Sequence, residues 1–225
     1  MRYSASDPKS FLLCCIWSVL LIGCGTTSIL QKPIPFDEER EQLSIEYLKK
    51  RHGINQAITS IRPKMIVVHY TVIPTMERTY NAFAPSILPN SRTGIKSASS
   101  LNVSAQYLVD RDGTIYQLLP DTVFARHVIG LNYCAIGIEN VANGKDLPLT
   151  KKQMNANVRL IRKLTAIHDI EYLIGHHEYQ DFIGHPLWKE TDPNYLTNKS
   201  DPGDTFMSAL RNKLKSFGLK GPPKS

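Results

Sequence analysis

The sequence predicts an α/β protein of one domain, a mixed β-sheet flanked by α-helices. Short runs rich in β-branched residues alternate along the chain with longer stretches whose apolar residues recur at helical spacing. The 225 residues suffice for a single well-buried core plus appendages. Hydrophobic residues make up 42% and charged residues 21%, an ordinary globular balance that argues against a disordered chain. The net charge of +7 would suit an acidic polymer. No basic cluster with interleaved aromatics accompanies it, so nucleic acid is not an expected partner.

Residues 1–24 read as an address. Arg2 and Lys9 give a weakly positive start, and an apolar stretch from Phe11 to Ile22 follows, too short to span a bilayer comfortably. A secretory signal is therefore expected. Leu21-Ile22-Gly23-Cys24 resembles a bacterial lipobox, which makes Cys24 the expected lipidation site and first residue of the mature chain. Cys14 and Cys15 would leave with the signal. Only Cys134 would then remain free, which excludes a disulfide scaffold and a four-cysteine zinc ribbon. Cys134 itself reads as a small packing residue.

Residues 25–60 are expected to form a tether and an N-terminal helix. Asp37 can cap that helix, Glu38 and Glu39 suit its positive end, and Lys49-Lys50-Arg51 its negative end, with Gly53 as the stop. Residues 61–218 are expected to form the main folded domain. Its first strand, Met65 to Thr71, is rich in β-branched residues. Pro85 to Ser104, rich in Ser, Asn, Gly and Pro, reads as a long irregular loop of the kind that often edges a cleft. Strand patterns on either side of Arg111-Asp112-Gly113 predict a hairpin, and Ala135 to Asn140 another strand. From Thr150 to His168, Met154, Val158, Ile161, Leu164 and Ile167 mark the apolar face of a helix. Tyr172 to His176 reads as a short strand and Asp204 to Phe217 as the last helix. Residues 219–225 read as a loose tail.

The chemistry concentrates in three places. His69 closes the first strand, His176-His177-Glu178 follow the last, and Lys199-Ser200-Asp201 precede the final helix. Two neutral imidazoles and one carboxylate can hold a single Zn²⁺ and leave its fourth position open, which is the pattern of a hydrolytic zinc site. If His176 and His177 are neighbours on a strand, their side chains point to opposite faces, so only one can readily meet the metal. Asp201 precedes a proline and is biased to an extended conformation, which sends Lys199 to the same side. On the strand Ala135 to Glu139, alternation puts both isoleucines on one face. Ala135, Gly137 and Glu139 lie on the other, where the small residues would leave room for a substrate.

With those residues in hand, the chain resembles the zinc-dependent N-acetylmuramoyl-L-alanine amidases, the type-2 amidases related to peptidoglycan recognition proteins. VVHYT, VSAQYLVDRDGTIYQLLP, ARHVIG, AIGIEN, GHHE and KSDPG stand in family order between about Pro63 and Phe206. The resemblance implies an amidase-like mixed sheet with zinc at one end. The implied activity is hydrolysis of the amide between the lactyl group of N-acetylmuramic acid and L-alanine of the stem peptide. It also implies His69, His176 and Asp201 as metal ligands and Glu139 as the base that takes a proton from water and returns it to the leaving amine. Lys199 is implied as the cation beside the growing oxyanion, and His127 as a substrate contact near the metal.

The chain departs from the family pattern twice. Ala105 stands where the phage-lysozyme branch has a catalytic tyrosine, which leaves the work to Glu139. The stretch Asp181 to Asn198 lengthens the spacing to Asp201 and contains Lys189-Glu190-Thr191-Asp192-Pro193, which makes Asp192 an alternative third ligand. That stretch could wall the cleft or be a surface excursion. Two other functions stay open at this level: a non-catalytic peptidoglycan-binding lipoprotein, and a zinc peptidase acting within the stem peptide. The expected partners are peptidoglycan or muropeptide and, through the N-terminal lipid, a membrane; no obligate protein partner is implied. Gly25 after Cys24 favours the outer membrane of the bacterial envelope, facing the periplasm.

Overall fold

A computed structural model describes Met1 and residues 28–223, so the expected signal and Cys24 lie outside the described residues. Six strands form one sheet: β1 (Ile29–Gln31), β2 (Met65–Val68), β3 (Tyr107–Val109), β4 (Ile115–Gln117), β5 (Ala135–Asn140) and β6 (Tyr172–Gly175). Their order is β1-β4-β3-β5-β2-β6, and only the β3–β4 hairpin is antiparallel. The central pairs are buried on both faces, as expected of a parallel sheet covered by helices.

Alternation divides the two faces. Ile66, Val68, Ile136 and Ile138 pack against Leu160, Ile161 and Leu164 of α4 (Lys151–Ile167) and against Met207 and Leu210 of α5 (Asp204–Lys213). Met65, Val67 and Ala135 face the other way, onto Val128, Leu131, Tyr179 and Phe182. Helix α4 begins in a capping box between Thr150 and Gln153, which satisfies two of its first backbone donors.

Helix α1 (Glu38–His52) is bounded as expected. Asp37 accepts from the Arg40 amide at 2.8 Å, and Gly53 ends the helix in the left-handed region at φ 65°. The expected tether is structured in part, because Ile29–Gln31 pairs in parallel with β4 at the sheet edge. The tail is docked where it starts: Leu219 packs on the core, and Lys220 exchanges backbone hydrogen bonds with Glu171 and Leu173.

Two short helices were not expected from the pattern, α2 (Met76–Phe83) and α3 (Thr93–Lys96). The carbonyls of Phe83, Ala84 and Pro85, at and just beyond the end of α2, are taken by the buried guanidinium of Arg40. Helix α5 ends at Lys213 and continues as a 3₁₀ turn over Lys215–Phe217. Among the described residues no helix is long and apolar enough to cross a membrane.

Candidate metal and catalytic site

Strands β5, β2 and β6 are adjacent and parallel, so their carboxyl ends open at the same edge, where ligands bind in open α/β sheets. Val68 is in register with Ile138 and with Gly175. The next residue on each strand is His69, Glu139 or His176. Strand β2 is shorter than expected and stops at Val68. His69 nevertheless stays on β5, its amide donating to Ile138 and its carbonyl accepting from Asn140. His176 begins a 3₁₀ segment, His176–Phe182, rather than ending a strand. The two neighbouring histidines therefore part company through a turn.

His69 Nδ1 lies 2.9 Å from His176 Nδ1 and 3.3 Å from Asp201 Oδ2, and His176 Nδ1 lies 3.1 Å from the same oxygen. All three residues are buried, and their donor atoms lie within 4.8 Å of one another, a set able to hold a metal ion. Two nitrogens and a carboxylate oxygen closing on one point, with a cavity on the remaining side, fit a divalent cation with an open position. Burial and the neighbouring His69 push the His176 imidazole down to about 4, which keeps it neutral. Burial raises the Asp201 carboxyl, but the adjoining His176 and His69 imidazoles outweigh it and hold the group well below the usual carboxylate range.

The orientation of His69 is fixed from behind. Its Nε2 lies 3.0 Å from His127 Nδ1, and His127 Nε2 lies 3.3 Å from the Ala135 carbonyl. The carbonyl can only accept, so His127 carries its proton on Nε2 and accepts from His69 Nε2–H. The His69 Nδ1 lone pair is then free to face the cation. Burial first, then His69, hold the His127 imidazole well below its ordinary value, which preserves that acceptor. The room expected beside Glu139 is filled by this ring: a Cβ on Gly137 would come within 2.9 Å of it. His127 borders the cavity, yet its polar atoms are turned to His69 and the sheet.

Asp201 is held by His177, whose amide and ring Nδ1 lie 2.9 and 3.0 Å from the Asp201 carbonyl, while Nε2 lies 3.0 Å from Asp204. His177 thus holds Asp201 through hydrogen bonds, outside the His69, His176 and Asp201 group. Asp192 is not at the site; it lies 3.8 Å from Arg51. The whole stretch around it is pinned to the end of α1. Arg51 pairs with Glu190 at 2.7 Å, Thr191 bonds to the Lys50 and Arg51 carbonyls, and His52 Nδ1 meets the Lys189 carbonyl. The insertion walls the cleft through Tyr195 and Thr197; Trp188 stacks on Tyr179 behind it.

Glu139 lies on the same face as His69. Its Oε2 is enclosed and has no hydrogen-bond partner. Burial pushes its carboxyl up to about 7, and the Asp201 charge adds to that while His69, Lys199 and Arg92 oppose it. Lys199 is exposed at the rim of the same cavity, which measures about 740 Å³.

Several supporting residues escaped sequence reasoning. Asn140 donates to the His69 carbonyl and accepts from Asn157 of α4, a buried chain of hydrogen bonds beneath His69. Arg126 ties the carbonyls of Ile95, Ser99 and Leu101 and the Tyr195 hydroxyl into the cleft wall. Buried asparagines and arginines have no periodic signature, so only the fold reveals their partners.

The mixed sheet and its edge site define the fold shared by muramoyl amidases and peptidoglycan recognition proteins. The chain belongs to the N-acetylmuramoyl-L-alanine amidase family, whose model matches residues 59–204. Among solved structures it is similar to the N-acetylmuramoyl-L-alanine amidase LysC from Clostridium intestinale URNW. That match has 20% identity and a TM-score of 0.55, and covers 86% of this chain and 99% of that one. It is also similar to the bumblebee protein PGRP-SA, at 15% identity and a TM-score of 0.51, over 88% of this chain and 99% of that one. No curated protein matches the chain in sequence.

Proposed function

We propose that this protein is a zinc-dependent amidase that hydrolyses the bond between the lactyl group of N-acetylmuramic acid and L-alanine of the stem peptide. The observation that carries the reading is the convergence of His69 Nδ1, His176 Nδ1 and Asp201 Oδ2 on one point beside a buried, unpaired oxygen of Glu139. One zinc ion would be held by those three residues, and when bound it supplies Lewis acidity that acidifies water and polarises the carbonyl.

Glu139 accepts the proton of the attacking water and passes it to the alanine nitrogen as the amide bond breaks. Its raised affinity for protons suits both halves of that transfer. Lys199, on the cavity rim, faces the oxygen on which negative charge grows. Ala105 is buried at the position of the tyrosine in the phage-lysozyme branch, so that position supplies no phenol. His127, at the cavity wall, orients His69 through its ring. Lipidation at Cys24 and residence in the outer membrane facing the periplasm are supported by the N-terminal sequence.

Incubation of the zinc-loaded protein with muropeptides, followed by mass analysis, tests this. Free sugar and an intact peptide beginning with alanine are expected. Cleavage inside the peptide would instead identify a peptidase, and binding without cleavage a receptor.

A further inference from the structure

Helix α4 carries Lys151, Lys152, Arg159, Arg162 and Lys163, all exposed, and no acidic residue. Lys213 at the end of α5 and Lys215 beyond it extend the same character. Among the described residues none of these cations forms an ion pair. Some cations elsewhere are paired, such as Lys64 with Asp169 and Glu171, Arg51 with Glu190 and Arg211 with Glu178, so what sets this face apart is that its cations cluster on one surface with no carboxylate among them on α4. The two helices share one surface, since Asn155, Arg159, Arg162 and Lys213 line a hollow of about 350 Å³ between them.

Apolar side chains stand within this field. Phe217 is 41% exposed with the Arg162 guanidinium 5.7 Å from its ring centre, and Ile167, one turn beyond Lys163, is 59% exposed. A solvated helix face needs no such residues. Cations around exposed apolar groups are what a lipid–water interface selects.

We propose that the α4–α5 face docks on an anionic bilayer. The cations meet lipid phosphates, and Phe217 and Ile167 enter the interface. These helices cover the sheet face opposite His69 and Glu139, so docking turns the cleft away from the membrane. The inference does not depend on the amidase reading.

The test is co-sedimentation of the full chain with vesicles of phosphatidylcholine alone or mixed with phosphatidylglycerol. Any binding through the apolar N-terminal stretch is common to both vesicle types, so the signal is the phosphatidylglycerol-dependent part, expected to fall as salt rises. Replacing Arg159→Gln, Arg162→Gln and Lys213→Gln together should weaken that part on the order of a hundredfold. Melting temperature and muropeptide turnover in solution should not change. Phe217→Ser should weaken it about tenfold. Equal binding to both vesicle types, or a triple variant that binds like the parent, would overturn the proposal. So would salt-sensitive capture of soluble polyphosphate with none on vesicles.

Discussion

The two halves of the site are built in opposite ways. On the metal side every group is tied: His69 to His127 and Asn140, His176 to Asp201, and Asp201 to His177. On the proton-transfer side Glu139 keeps an enclosed oxygen with no partner, and Lys199 stands exposed at the rim. A group that must hold an ion gains from being over-determined, whereas a group that must exchange a proton loses function if its lone pairs are committed. The contrast predicts that variants on the two sides fail differently.

The largest effect is expected at Asp201→Ala. It removes one of the three groups that converge on the metal position, so metal should be lost together with about ten-thousandfold of the activity. Metal analysis of the purified variant checks this; full occupancy would show that the ion sits elsewhere.

Glu139→Gln should cost on the order of a thousandfold in kcat while metal content stays intact. The pH behaviour sharpens the point. A base with a pKa near 7 gives a rate that falls on the acid side, and a bound cation beside the carboxyl moves that limb below 7. The stability effect runs the other way. The folded-state pKa lies above the ordinary 4.5, so the folded state binds more protons between 4.5 and about 7 and loses stability as pH rises through that window. In the metal-free protein, Glu139→Gln should therefore leave melting unchanged near pH 4. Above pH 7 it should raise the melting temperature by several degrees, roughly 2 °C or more per kcal/mol for a chain of this size. A variant that melts lower at both pH values would mean that the carboxylate is paired after all.

Lys199→Met should lower kcat by about a hundredfold with little change in metal affinity, the usual scale for losing one donor to an oxyanion. A rise in KM alone would place the ammonium on the substrate's ground state instead.

The legibility of the sequence follows the same division. Elements with a period or a cap were readable: α1 from Asp37 to Gly53, α4 from its apolar stripe, and the face of β5 from its alternation. The three residues that come together at the sheet edge were readable because the motifs carrying them are local, at β2, β6 and the turn before α5. The strand ends were less so, since His176 enters a 3₁₀ turn and its separation from His177 comes from that turn. The insertion was unreadable for a different reason: its partners, Lys50, Arg51 and His52, lie at the far end of α1, and no local pattern announces such a contact. Helix α2 went unseen because eight residues capped by Thr75 give too short a stripe, and its carbonyls are closed by Arg40 from another helix.

His127 tests where the boundary between the two halves falls. The sequence placed it on the substrate, whereas its Nδ1 stands 3.0 Å from His69 Nε2 and its ring occupies the space over Gly137. His127→Phe keeps that volume and removes the acceptor, stranding a buried N–H on His69 and freeing its tautomer. Zinc affinity should fall about ten- to a hundredfold, the scale expected for losing a partner that orients a ligand. Activity should return when zinc is supplied in excess, with KM for muropeptide unchanged. An unchanged zinc affinity with a raised KM would instead move His127 to the substrate side of the site, and the metal half would then rest on Asn140 alone for the positioning of His69.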